Sequence, residues 1–211
     1  MKSILTFVGT LALSVAIGHA GVDVSKEVTT TKAAFNPFEK GVNEVELTTG
    51  WFHSDISTSN KPKFEFEESD LSYGWMLTSP HGDGFVRGNW ELLLSAFGSA
   101  TTGAAGPSGV MVGGRAKLRY NFVHEGCHLV PFVELGAGGL GNDIYLDKTQ
   151  RVIGSGFEFD LEAAGGLRYL INEHWALSLT ASFEHISNAD TAAHNVGANA
   201  LGGRAGVSYF Y

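Results

Sequence analysis

From Gly41 to the C-terminus, apolar and polar side chains alternate with a period of two, and the pattern recurs in eight segments. A two-residue period sends successive side chains to opposite faces of an extended chain, so it specifies β-strands. The segments run over about 43–53, 69–79, 85–97, 109–123, 127–139, 153–169, 174–187 and 198–211. In the sixth, Ile153, Phe157, Phe159, Leu161, Ala163, Leu167 and Tyr169 share one face, and Glu158, Asp160, Glu162 and Arg168 share the other. In the fourth, Val110, Val112, Ala116, Leu118, Tyr120 and Phe122 oppose Arg115, Lys117, Arg119 and Asn121.

A soluble β-sandwich also alternates, with its apolar faces inward and its charges in water. The complementarity of the two charged columns favours a different solution. An eight-stranded barrel is narrow enough to be filled by side chains. Inside it, the cations of the fourth segment meet the carboxylates of the sixth, while the apolar faces turn to lipid. The fold expected is therefore all-β, an eight-stranded antiparallel up-and-down transmembrane barrel over residues 41–211. Connection lengths agree. DISTSNKPKFEFEE, SATTGAAGPSG, GNDIYLDKTQR and NADTAAHNVG are long, whereas SPHGDG, HEG and INE are short. Long loops outside and tight turns in the periplasm are the habit of outer-membrane barrels. Trp51, Tyr73, Trp75, Tyr169, Trp175, Tyr209 and Tyr211 lie near strand ends, where interfacial aromatics belong.

Residues 1–20 carry Lys2, an apolar run from Ile4 to Ile17, and the small-x-small site Gly18-His19-Ala20, which together read as a cleaved signal peptide. Residues 21–40 have no clear period and read as an N-terminal periplasmic segment. A formal charge of −8 argues against a nucleic-acid partner, which would favour a basic patch. The one cysteine, Cys127, excludes an intrachain disulfide. There is no zinc-ligand spacing, and no cofactor or metal is expected. Asp55, Glu65, Glu67 and Glu68 read as a solvated loop rather than a cation site, and His53 and His128 as isolated rim residues.

The seventh segment carries the chemistry. Trp175, Leu177, Leu179, Ala181, Phe183, His185 and Ser187 share its apolar face. Two polar groups at i and i+2 on that face are either tolerated rim residues or a serine nucleophile with its histidine base. Their Cα atoms are about 6.5–7 Å apart by the strand rise, so an imidazole can reach the hydroxyl. A third group is needed to fix the imidazole tautomer. Asn199, on the lipid-facing side of the eighth segment near its outer end, can accept the ring N–H.

His185-x-Ser187-Asn188-Ala189, followed by Asn195-x-Gly197 and a last strand, resembles the lipid A 3-O-deacylase family (the PagL type). The resemblance implies an eight-stranded outer-membrane barrel with a serine hydrolase site on its lipid-facing wall. It implies His185 as general base, Ser187 as nucleophile, Asn188 in the oxyanion hole and a backbone N–H near Asp190 as a second donor. It implies lipid A, as lipopolysaccharide, for substrate. Familiar members carry glutamate where this chain has Asn199, so the ring is oriented here without a compensating charge. Glu184 points to the lumen by parity, and Asp190 and His194 are alternative ring partners in the outer loop. The rival reading is a structural or adhesive barrel without catalysis. Monomer and homodimer stay open.

Overall fold

The computed structural model describes residues 35–54, 65–102, 106–150, 152–192 and 197–211. Eight strands alternate up and down: β1 (Asn43–His53), β2 (Glu65–Met76), β3 (Gly88–Thr101), β4 (Val110–Phe122), β5 (Leu129–Asn142), β6 (Phe157–Leu170), β7 (Trp175–Ser187) and β8 (Ala198–Phe210). Each pairs antiparallel with its chain neighbours, and β1 closes on β8. Closure gives every strand two hydrogen-bonded neighbours, the condition for strands in hydrocarbon. The signal-peptide expectation, residues 1–20, lies outside the described residues.

The alternation divides two environments. Outward residues form an apolar belt, with Leu135 68% and Leu179 67% exposed. Such exposure of large side chains is suited to lipid and not to water. Inward residues are charged and buried. Arg115 of β4 binds Asp160 of β6, Glu162 of β6 (2.8 Å) and Glu68 of β2 (2.9 Å). Arg119 donates to Glu134 (2.8 Å) and Glu46 (2.7 Å), and Arg168 donates to Glu44 (2.8 Å). Arg204 of β8 joins Glu68 (3.0 Å) and Glu162. The ion network anticipated between the fourth and sixth segments is thus extended by β1, β2, β5 and β8.

Both mouths are plugged by apolar side chains. At the mouth that receives the chain, Phe38, Met76, Val123, Val130, Ala176 and Phe210 are buried together. Phe38 belongs to residues 35–40, whose chain folds into this mouth. Asn89 donates to the Phe38 carbonyl (3.1 Å), and the Arg168 guanidinium lies 5.9 Å from the Phe38 ring and 5.2 Å from that of Phe210. At the opposite mouth, Phe52, Phe66, Phe97, Met111, Leu140 and Ile186 pack with Ile144, Val152 and Ile153.

Three expectations shift. Strand β2 starts at Glu65, so Glu65, Glu67 and Glu68 are strand residues rather than loop carboxylates, and Glu68 is an inner member of the ion network. Asp55 lies outside the described residues. Ile153 is 1% exposed in the mouth plug and does not face lipid, because β6 begins only at Phe157. The connection between β2 and β3 spans residues 77–87 and contains a single 3-10 turn at Gly84–Val86, so it is longer than the six residues SPHGDG suggested.

Candidate active site

The plugged outer mouth inverts the usual polarity of the wall. Along the barrel's middle, charges point in and apolar groups point out. At the far ends of β1, β2, β7 and β8, Phe52, Phe66, Ile186, Ala198 and Ala200 point in to fill the plug. Strand geometry then sends their neighbours outward: His53, Glu67, His185, Ser187 and Asn199. A polar outer rim is tolerated because it stands near the membrane–water boundary.

His185, Ser187 and Asn199 are half-buried on this outward face. In register, His185 stands opposite Asn199 of β8 on one side and Leu161 of β6 on the other, while Ser187 stands opposite Phe159. Phe159, Leu161, Phe183 and Leu201, all substantially exposed, surround the polar group with apolar wall. His185 Nδ1 lies 2.6 Å from Asn199 Oδ1. A carbonyl oxygen only accepts, so Nδ1 carries a proton, and in the neutral ring Nε2 is the nitrogen with the lone pair. That tautomer is the one a general base requires. The His185 ring and the Ser187 hydroxyl are not joined by a hydrogen bond among the described residues. Such bonds commonly tighten only when substrate is bound.

The turn after Ser187 is strained. Ala189 (φ 51°) and Asp190 (φ 61°) are both left-handed, and Thr191 N–H donates to the Asn188 carbonyl (3.0 Å). Two left-handed central residues closed by an i to i+3 bond have the backbone of a type I′ turn, which favours glycine or asparagine. Non-glycine residues there cost about 1–2 kcal/mol each. Strain of this kind collects at functional sites.

The Asn188 side chain is fully buried and turned inward, donating to the Glu158 carboxylate. Glu158 also accepts from Gly154 N–H (3.1 Å) and Ser155 N–H (2.8 Å). Glu158 therefore stands apart from Asp160 and Glu162, which bind arginines. Gly197, left-handed at φ +67°, stands next to the pair. A Cβ added there would lie 3.5 Å from Ser187 Cβ and 3.8 Å from His185 Cε1, and 3.1 Å from the Ile186 carbonyl.

The other sequence candidates fall elsewhere. Glu184 is buried in the ion network, 3.2 Å from Arg115, as parity required. Asp190 is exposed in the strained turn, and His194 and Asn195 lie outside the described residues. His53 is not isolated, since its Nδ1 is 2.7 Å from Glu65 Oε1. His128 Nδ1 lies 2.9 Å from the Leu170 carbonyl at the opposite mouth. The sequence motif includes Gly197 but gives it no role, while the alternation of β6 places Glu158 in the carboxylate column without marking it as a site neighbour. No group of three or more metal-ligating side chains gathers among the described residues.

Comparison with known proteins bears on this arrangement. The family model for lipid A 3-O-deacylase (PagL) matches residues 68–208. The crystal structure of the outer membrane enzyme PagL is similar at 18% identity and a TM-score of 0.54, covering 77% of this chain and 97% of that one. Neisserial surface protein A (NspA) is similar at 12% identity and a TM-score of 0.52, covering 82% of this chain and 100% of that one. At these identities the structural likeness is one of fold. No curated protein matches the chain in sequence.

Proposed function

The chain belongs to the lipid A 3-O-deacylase family and is a barrel of the bacterial outer membrane, and from that premise we propose that it hydrolyses the 3-O-linked acyl ester of lipid A with His185 and Ser187. The observation that carries the proposal is the 2.6 Å contact between His185 Nδ1 and Asn199 Oδ1, on the same outward face as Ser187. It leaves Nε2 as a base beside a hydroxyl that is otherwise a weak nucleophile.

Ser187 Oγ attacks the acyl carbonyl carbon while His185 Nε2 takes the hydroxyl proton. The carbonyl π-electrons move to oxygen, and the oxyanion is held by backbone N–H donors at Asn188 and near Asp190. The Asn188 side chain serves Glu158, so its backbone is the part assigned to the oxyanion. Collapse of the tetrahedral adduct breaks the bond to the sugar oxygen, which takes the proton from His185. Water, activated by the same imidazole, then cleaves the acyl–Ser187 ester and releases the fatty acid. The substrate is a membrane lipid that arrives by lateral diffusion, so an exterior site needs no channel through the lumen.

The test is mass spectrometry of lipid A from a host expressing wild type or Ser187→Ala. Loss of a single 3-O-acyl chain with the wild type, and intact lipid A with an equally abundant, membrane-inserted Ser187→Ala, is expected. Unchanged lipid A with folded wild type would favour a structural or adhesive barrel.

A further inference from the structure

We propose that Gln150, in the loop between β5 and β6, is a positioning residue for the Ser187–His185 site. The inference rests on the esterase reading above. Gln150 touches neither side chain and acts through Val152 and Gly197.

One carboxamide organises the loop. Gln150 Nε2 donates to the carbonyls of Ile144 (3.3 Å) and Ile153 (2.8 Å). Its Oε1 accepts from the N–H groups of Val152 (2.8 Å) and Ile153 (3.0 Å). A side-chain amide has two donor hydrogens and two acceptor lone pairs, and all four are spent here on the loop's own backbone. A surface glutamine would ordinarily leave these groups to water.

The organised loop then meets the site from beneath. The Val152 carbonyl accepts from Gly197 N–H (3.2 Å). Gly197 is the residue at which an added Cβ would touch Ser187 Cβ and His185 Cε1, and it leads directly into the strand that carries Asn199. The loop's apolar side chains support the same place. Ile144, Val152 and Ile153 are 0–4% exposed and pack with Ile186, Ala198 and Ala200. Those three alternate with His185, Ser187 and Asn199 along β7 and β8, so the plug is the floor of the site. A second attachment, from Glu158 through Asn188, fixes the other end of the same floor. Displacing Val152 by a few tenths of an ångström shifts Gly197 and Asn199 together. The distance between nucleophile and base is sensitive to shifts of that size.

The experiment compares wild type, Gln150→Glu, Gln150→Ala, Gly197→Ala and the Gln150→Ala/Gly197→Ala double variant, all refolded as full chains. Lipid A in mixed micelles gives kcat and KM, and a fluorophosphonate probe reports the labelling rate of Ser187 per folded molecule. Folding is read from heat-modifiable migration. Gln150→Glu keeps the acceptor contacts and replaces both donors by oxygen, so it tests the residue even if Gln150→Ala folds poorly. The expected result is a fall of about tenfold or more in kcat with KM changed less than threefold, and labelling slowed in step. The double variant should lose less than the product of the two single losses, because Gly197→Ala keeps the N–H bonded to Val152 but disturbs the same residue that Gln150 positions. Normal kcat and labelling in folded Gln150→Glu overturns the inference, as does a double variant whose losses multiply. Wild type that neither deacylates lipid A nor labels at Ser187 overturns the esterase reading itself and the inference with it.

Discussion

At the scale of single residues, the site combines a firm ring orientation with a neutral partner. Asn199 orients the His185 ring through one 2.6 Å contact but, on the proposed mechanism, offers no charge to the imidazolium that attack would form. Asn199→Glu is therefore expected to raise kcat by about tenfold, equivalent to ~1.4 kcal/mol of barrier, while Asn199→Leu lowers it by about a hundredfold through loss of the oriented base. Steady-state deacylation of micellar lipid A measures both. The strained turn makes a second prediction. Ala189→Gly removes a left-handed alanine and should raise the unfolding midpoint in urea, with a gain of about 1 kcal/mol. The parity of His185, Ser187 and Asn199 was legible in the sequence because one strand rule sets all three. The turn was not, since Ala189-Asp190 lacks the Asn-Gly signature of its backbone. Nor was Gln150, whose partners are backbone groups that no spacing rule marks.

Among the strands, the internal ion network decides what holds the wall together. Arg115→Met would leave Asp160 without its guanidinium partner and take one of two from Glu68 and Glu162, which keep Arg204. Removing one partner from buried charges costs about 3–5 kcal/mol, so a marked fall in the urea midpoint is expected, read by loss of heat-modifiable migration. The pairing of Arg115 with Asp160 and Glu162 could be anticipated because opposite charges recur with a period of two on two strands. The start of β2 could not. Glu65-Phe66-Glu67-Glu68 has its phenylalanine inward and Glu67 outward, reversed from the rest of the wall. The alternation survives there, but the apolar side faces the mouth plug instead of lipid. The same reversal explains Ile153, an apolar residue recruited by the plug from beyond the strand.

For the whole molecule, two apolar plugs and a filled interior make a closed cylinder. Purified protein in planar lipid bilayers is expected to show no unitary conductance steps at physiological salt, because apolar side chains of the described residues pack both mouths over the charged middle. Discrete ion currents would contradict the plugs. The outward placement of His185 and Ser187 carries a different consequence. On the proposed mechanism, the reaction takes place in a sheet and not in a volume. Turnover then follows how densely the leaflet is packed with ester-bearing lipid, and adding more vesicles of the same make-up changes little. On that mechanism both products leave sideways into the leaflet, so turnover remodels the very medium that delivers the next encounter.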